Sequence, residues 1–532
     1  MSDNHGADSA AAARPDGTGA ARPGRLTGAV AAAAIAASAL IMIAVAAAGP
    51  SVSVPSIPRA AGPPWWVSVH LTATVVTVAL WTSMALGCAG VIAGLAAVAR
   101  GWRPPARALI ASGFLAVAAF TVLPAAGTTD TISYAASGRT AVTGRNPYVT
   151  TPLQLSRDGD PVAGQIPFAE IPSTWTTAVS VYGPVAAGAE WAAAELGGTS
   201  LARITFWLKL EEAVAFGAVI LGLDRMLRAD PAMRLRAHLL WSVNPLLLWE
   251  IVAGGHIDGL AAAFGLLGVA ALRARPQPGA QRQRFRPGDV VLAGVAIGVA
   301  TGIKAEWALF GAAVAWACRR SARDLAAAAA GFALVVVPAY LAAGAPAVKA
   351  LVTRSPGVTW DTMYQLLWRP LFGYTQFTVS NSPPHLELIA YLLFAAVAVL
   401  AVARMPDRVP GLPAVTPALA LSLAWLFVTA FQRPWYDVMA VSLLALYSAS
   451  RLDWMVLLRL LAGATVYAQA VQSPAEPRWL HDIGQFDGAW LTPSVRLLAA
   501  AALAWFCLSG RWGWRSPLPA PAGRLPELLP LR

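Results

Sequence analysis

Charge is what this sequence has least of. Only 12% of its 532 residues are Asp, Glu, Lys or Arg, against about 25% in an ordinary soluble domain. That is too little to coat a globule of this length, so a soluble fold is excluded. Cysteine is scarce too. Cys88, Cys318 and Cys507 each lie within or at the end of an apolar run, so neither a disulfide framework nor a zinc spacing is available. Segments of alternating polarity about ten residues long, which an outer-membrane barrel requires, do not recur. A continuous basic stripe with interleaved aromatics is missing as well. The net charge of +12 therefore does not indicate a nucleic-acid partner.

What the chain has in abundance is apolar, Ala-rich sequence: 57% of its residues are hydrophobic. Runs of 18 or more apolar residues recur, each long enough to cross about 30 Å of hydrocarbon as a helix. The pattern predicts an all-α polytopic membrane protein of about 13–14 transmembrane helices. The expected spans are roughly 26–49, 67–99, 106–126, 201–223, 237–254, 258–274, 289–303, 305–318, 324–343, 386–403, 411–430, 435–450, 453–472 and 492–510. Residues 1–25, rich in Ala, Gly, Asp and Pro, read as a disordered cytoplasmic tail. The transmembrane domain is expected over 26–510 and a second cytoplasmic tail over 511–532.

The arginines set the orientation. With the N-terminus cytoplasmic, Arg100, Arg103, Arg107, Arg225, Arg228, Arg234 and Arg236 fall on the inner face, as do Arg273, Arg275, Arg282, Arg284 and Arg286. Arg319, Arg320, Arg323, Arg404, Arg408 and Arg451 follow on the same side. The positive-inside rule then places both termini in the cytoplasm and the chain in the cell membrane. If the fairly apolar stretch 173–197 spanned, the later arginine clusters would lie outside, so it is expected as a helix on the outer surface. The short pair 289–303 and 305–318 either spans or re-enters. Three outer segments remain, 127–200, 344–385 and 473–491. The first is the longest, and a long structured loop is usually functional. The chain shows no internal repeat of the kind from which many transporters are built.

Ionisable residues gather at the outer boundaries. Asp130 opens the first outer loop among hydroxyls, with Arg139 nearby. A carboxylate there suits a general base or a ligand for a divalent cation, or it caps the helix that follows. Gly254-Gly255-His256-Ile257-Asp258 sets an ionisable pair at a membrane boundary, either a functional pair or a solvated turn. Lys304 can hold a phosphate as a point charge or pair with Glu306. Arg433-Pro434-Trp435-Tyr436-Asp437 serves either the site or an interfacial aromatic belt. Trp360, Asp361 and Arg369 are weaker candidates of the same kind. Lys209 and Glu212 are spaced to pair along one helix face.

The run Asp130-Thr-Ile-Ser-Tyr134, Gly138-Arg139 and Gly144-Arg-Asn146-Pro-Tyr148 resembles the first-loop pattern of polyprenyl-phosphate-sugar-dependent glycosyltransferases of the GT-C superfamily. Within it, the chain is most similar to actinobacterial polyprenol-phosphomannose-dependent alpha-1,6-mannosyltransferases. Tyr182-Gly-Pro, Asn244-Pro-Leu-Leu-Leu, Gly255-His256-Ile-Asp258, Gly302-Ile-Lys304 and Pro434-Trp435-Tyr436 follow in the family's order, so the resemblance runs from about residue 70 to 450. One departure is Ile257, where the family pattern has asparagine before the aspartate.

The resemblance implies a GT-C-like helical bundle and transfer of mannose from polyprenyl-phosphate-mannose to a mannan or glycolipid acceptor on the outer face. It implies inversion at the anomeric carbon, with Asp130 as base. Arg139, Lys304 and Arg433 become candidates for the donor phosphate. Tyr134, Asn146, Tyr148, Tyr182, His256, Asp258 and Tyr436 become candidate substrate contacts. Basic side chains can stabilise the leaving phosphate, so no obligatory metal or other cofactor is expected, although a divalent cation stays open. A lipid-linked sugar transporter would use the same groove and charges without bond making. A scaffold in envelope assembly is the third reading.

Overall fold

A computed structural model describes residues 21–274, 285–354, 357–359, 361–366, 384–468 and 477–512. Most of both expected tails, Arg275, Arg282, Arg284, Trp360, Arg369 and much of the expected loop 344–385 lie outside the described residues, as do residues 473–476 of the third expected loop.

Among the described residues there are helices and no strand. In chain order they are α1 (Ala21–Ala48), α2 (Ala73–Ala99), α3 (Ala106–Val122), α4 (Asp130–Val142), α5 (Pro184–Gly197), α6 (Leu201–Met226), α7 (Asp258–Ala271) and α8 (Pro287–Ile303). Then come α9 (Ala308–Cys318), α10 (Ala322–Ala343), α11 (Pro384–Arg404), α12 (Val415–Val428), α13 (Val438–Leu444), α14 (Leu452–Tyr467), α15 (Arg478–Phe486) and α16 (Thr492–Ser509). Further short helices and helical turns, among them the ten-residue helix Ala345–Arg354, fill several connections. The composition explains the choice of helix, since Ala and Leu form helices readily and apolar surroundings force backbone groups to bond within their own segment. Several starts are fixed by hydroxyl caps: Thr72 accepts from the Val75 N–H, Ser200 from Arg203 and Ser321 from Asp324.

Five stretches are long and apolar enough to cross a membrane: Gly24–Ala48, Ala73–Ala99, Ala322–Ala343, His385–Arg404 and Arg478–Ser509. The pair Pro231–Ala253 and Asp258–Ala271, bent by 115°, is either a sixth, broken span or a re-entrant loop. Shorter apolar helices occupy 106–122, 287–303, 305–318 and 415–428. The protein is thus an all-α, multi-pass membrane protein. All fourteen expected stretches carry helix, but only five, or six with the bent pair, are long and apolar enough to span. The expected count of 13–14 transmembrane helices is therefore not reached among the described residues, and several stretches are shorter or broken. The stretch expected as a helix from 67 starts at Ala73. The one expected over 237–254 is interrupted at Asn244-Pro245, where proline has no N–H to give and the Asn244 side chain accepts from the Leu246 N–H instead. That expected over 435–450 is a tight turn over Pro434–Asp437 followed by the short α13.

Small residues let helices approach closely, as is common between membrane helices. A Cβ on Gly294 of α8 would lie 2.1 Å from the Ala328 carbonyl oxygen of α10. One on Gly331 of α10 would lie 2.5 Å from the Val291 carbonyl oxygen of α8. The apolar stretch 173–197 forms a short turn at Ser173–Thr176 and then α5, which packs against α4 and α6.

Lys209 and Glu212 do not pair with each other, contrary to the spacing argument. Lys209 Nζ donates to the carbonyls of Phe120 (2.6 Å), Leu123 (2.6 Å) and Pro124 (3.0 Å), closing the C-terminal end of α3. Glu212 turns the other way and accepts from the Leu260 N–H at 2.9 Å, in the first turn of α7. Carbonyls at a helix end have no partner within the helix, and free backbone N–H groups at a helix start carry partial positive charge. Each side chain meets a stronger local demand than the other offers. Through this pair α6 holds the end of α3 and the start of α7, the two ends that border the site.

Candidate active site

The chain from 126 to 131 is stitched to the turn at 253–256. The Ala126 N–H donates to the Ala253 carbonyl at 3.1 Å, and the Thr131 hydroxyl donates to the Gly254 carbonyl. Gly255, at φ +64°, allows that turn, because a left-handed backbone costs glycine little. The result places Asp130, the first residue of α4, opposite His256. His256 Nε2 lies 3.7 Å from Asp130 Oδ2. The Asp130 N–H donates to Thr128 Oγ1 at 3.0 Å, and its side chain is 22% exposed. His256 is buried, its Nδ1 donates to the Glu250 carbonyl, and its ring stacks on Trp435 with centroids 3.7 Å apart.

A second turn brings Tyr182. The Gly183 N–H donates to the Ile303 carbonyl at 2.9 Å, and a Cβ on Gly183 would lie 2.1 Å from the Gly302 carbonyl oxygen. Only glycine permits that approach. Tyr182 then sits beside Lys304, whose Nζ is 5.7 Å from its ring centre. The Tyr182 hydroxyl lies 3.3 Å from that of Tyr134, and its carbonyl accepts from the Tyr148 hydroxyl at 3.0 Å. Asn146 accepts from the Tyr148 N–H at 2.8 Å, which shapes the loop rather than the site.

The candidate cations have different partners. Lys304 Nζ lies 2.9 Å from both Asp258 oxygens, 3.4 Å from Glu306 and 4.1 Å from the centre of the Tyr436 ring. Its charge is compensated by two carboxylates, so the ion-pair alternative describes its geometry. Arg139 Nε donates to Asp160 at 2.8 Å. It stands nine residues beyond Asp130 on the same helix, about 13 Å along the axis. The structure therefore gathers Asp130, Tyr134, Tyr182, His256, Asp258, Lys304, Arg433 and Tyr436, and leaves Arg139 and Asn146 apart.

Arg433 stacks over Phe431 (4.5 Å) and Tyr467 (5.2 Å), and it donates to the Tyr467 hydroxyl. Among the described residues no carboxylate lies within ion-pair distance of it. Asp130 nonetheless feels the charges of both Arg433 and Lys304. Burial pushes the Asp130 carboxyl above the ordinary carboxylate range, while Arg433, Lys304 and the Thr128 contact oppose that rise.

Three contributors escaped the sequence reading. Tyr467 gives no motif signal. Gln432 donates to the Thr429 carbonyl at 2.7 Å and accepts from Arg459. Arg459 in turn pairs with Asp437 and donates to the Leu426 carbonyl at 2.9 Å, bracing the turn that presents Arg433 and Trp435. An arginine mid-span in a membrane helix was the available cue. Trp435 is buried beneath His256, not on a lipid-facing belt.

The helical membrane bundle thus gathers two carboxylates, a histidine, two cations and three tyrosines at one place, a candidate active site of a membrane protein. The family model described as alpha-(1->6)-mannopyranosyltransferase, N-terminal domain, matches residues 25–320, more than half of the chain, and the chain belongs to that family. It is an alpha-1,6-mannosyltransferase, a glycosyltransferase, so the transporter and scaffold readings fall away. No curated protein matches the chain.

Proposed function

We propose that the protein takes mannose from a polyprenyl-phosphate-mannose donor and adds it to the 6-hydroxyl of a mannan or glycolipid acceptor, on the outer face of the cell membrane. Asp130 removes the proton of that hydroxyl as its oxygen attacks C1. The C1–O bond to phosphate breaks, and polyprenyl phosphate leaves with the electron pair. A beta-linked donor and an alpha-linked product mean inversion in one displacement, with no covalent sugar–enzyme intermediate.

What supports this reading is Asp130 within electrostatic reach of Arg433, a half-buried cation that rests on aromatic faces and has no carboxylate within ion-pair distance among the described residues. A leaving phosphate gains negative charge as the sugar departs, and a preorganised guanidinium stabilises that charge in a low-dielectric site. Lys304, already matched by Asp258 and Glu306, is better suited to orienting Asp258 and the Tyr436 and Tyr182 rings. With Arg433 in this role, transfer needs no metal. Membrane orientation follows from the arginine-rich loops.

The test is transfer of radiolabelled mannose from polyprenyl-phosphomannose to a short alpha-mannoside by purified protein. Asp130→Asn should lower turnover by about 10²–10⁴-fold, the usual worth of a positioned general base, and leave the gel-filtration profile unchanged. A variant that folds and turns over at the wild-type rate would remove Asp130 from the role. Wild-type protein that moves no label would overturn the donor assignment.

A further inference from the structure

His256 presents an acceptor with nothing to accept. A backbone carbonyl cannot donate, so the hydrogen bond from Nδ1 to the Glu250 carbonyl fixes the ring proton on Nδ1. With its one proton on Nδ1, the buried ring is neutral. Nε2 therefore carries a lone pair. It is buried and has no hydrogen-bond partner among the described residues. The stack on Trp435 prevents the ring from turning away. Its nearest charged neighbour, Asp130 Oδ2, is 3.7 Å off and is also an acceptor, beyond hydrogen-bond reach and of the wrong polarity. A buried polar atom left unpaired is costly, so this pair of facing acceptors asks for two donors.

An alpha-1,6-mannosyltransferase has such donors in its acceptor sugar. The attacking group is the 6-hydroxyl. The atom bearing that arm, C5, has two ring neighbours: the ring oxygen, which donates nothing, and C4, which bears a hydroxyl. The 4-hydroxyl is thus the hydroxyl nearest in the covalent framework to the attacking one. We propose that His256 is a positioning residue for the acceptor, its Nε2 taking a hydrogen bond from the 4-hydroxyl of the same sugar whose 6-hydroxyl Asp130 deprotonates. This rests on the assignment of Asp130 as base. The contact fixes rotation about the C5–C6 bond, so the primary hydroxyl is held against the carboxylate. It selects acceptors with an equatorial 4-hydroxyl and discriminates against 4-deoxy and 4-epimeric sugars.

The experiment compares an alpha-mannoside acceptor with its 4-deoxy analogue in wild-type, His256→Phe and His256→Gln protein, with polyprenyl-phosphomannose as donor. Phe keeps the stack on Trp435 and removes the acceptor nitrogen, whereas Gln restores a carbonyl acceptor near the Nε2 position. Wild-type kcat/KM should fall by about 10- to 100-fold on the 4-deoxy acceptor, the cost of one buried group left unpaired. In His256→Phe the two acceptors should become nearly equal, both at the lower level, and His256→Gln should recover part of the difference. A general structural defect would lower both acceptors and keep their ratio. Equal use of the two acceptors by wild type, or a ratio unchanged in His256→Phe, overturns the proposal. If His256→Phe does not fold, His256→Leu takes its place with the same two acceptors, and an acceptor ratio unchanged from wild type overturns the proposal. Wild-type protein that transfers to neither mannoside overturns the underlying assignment and this proposal with it.

Discussion

Arg139, Lys304 and Arg433 are equivalent in the sequence, each an isolated cation near an outer boundary, and their partners separate them. Arg139 is held by Asp160 and Lys304 by Asp258 and Glu306, whereas Arg433 rests on aromatic faces and a tyrosine hydroxyl. Arg433→Met should lower kcat by about 10²–10³-fold, as removal of one preorganised donor does, in a steady-state assay with saturating donor. Arg139→Met should leave kcat within a few-fold and affect stability instead. The proposed base carries a pH signature. In that role Asp130 works ionised, and burial raises its pKa above the ordinary carboxylate range. Below that raised pKa the carboxyl is protonated and cannot accept the hydroxyl proton. The kcat/KM profile should therefore fall on acidification at a higher pH than an unperturbed aspartate, about 3.9, would give. A flat profile down to that pH would argue against Asp130 as base.

At the scale of elements, the site is a meeting of ends: the first turn of α4, the first turn of α7, the last turn of α8 and the turn between α12 and α13. Ends carry unpaired backbone groups, and two buried ionisable side chains of α6 answer them, Lys209 at α3 and Glu212 at α7. Lys209→Met keeps the length of the side chain and removes three donors. It should cost about 1–3 kcal/mol for each carbonyl left buried and unpaired, seen as a lower Tm of the detergent-purified protein. Because Asp130 follows this helix end within six residues of Pro124, activity should fall more steeply than the loss of folded protein explains. The spacing of Lys209 and Glu212 announces a helical pair, but a three-residue rule sees only one helix. It is blind to neighbouring helix ends that compete for the same side chains.

Taken whole, the molecule builds one site from both halves of its chain. The family match ends at residue 320, while Arg433, Trp435, Tyr436 and Tyr467 come from beyond it. A buried ion pair, Arg236 with Asp453 at 2.5 Å, reinforces the junction, with Arg236 also donating to the Leu444 and Tyr447 carbonyls. The orientation of this bundle in the membrane is testable because its three native cysteines are buried. A membrane-impermeant maleimide should label Arg157→Cys, exposed in the first long loop, in intact cells. Arg320→Cys, also exposed, should label only after permeabilisation. The reverse pattern would invert the topology and place the site on the cytoplasmic face.

Composition alone determines the class. With so few charges, so many long apolar runs and no recurring alternation of the kind a barrel needs, a helical membrane bundle is the arrangement that satisfies the backbone. Motif order points to the chemistry, and Asp130, His256, Asp258 and Lys304 are legible because ionisable residues at membrane boundaries need a reason to be there. Which of these residues meet is decided only in three dimensions. His256 and Asp130 are 126 residues apart, and their approach depends on two hydrogen bonds, from the Ala126 N–H to the Ala253 carbonyl and from the Thr131 hydroxyl to the Gly254 carbonyl. The aromatic seat of Arg433, the lone pair of His256 and the place of Tyr467 likewise follow from partners that sequence spacing does not encode. Hydropathy and short motifs record local preference, whereas the charge balance of a site is a property of side chains brought together from distant parts of the chain.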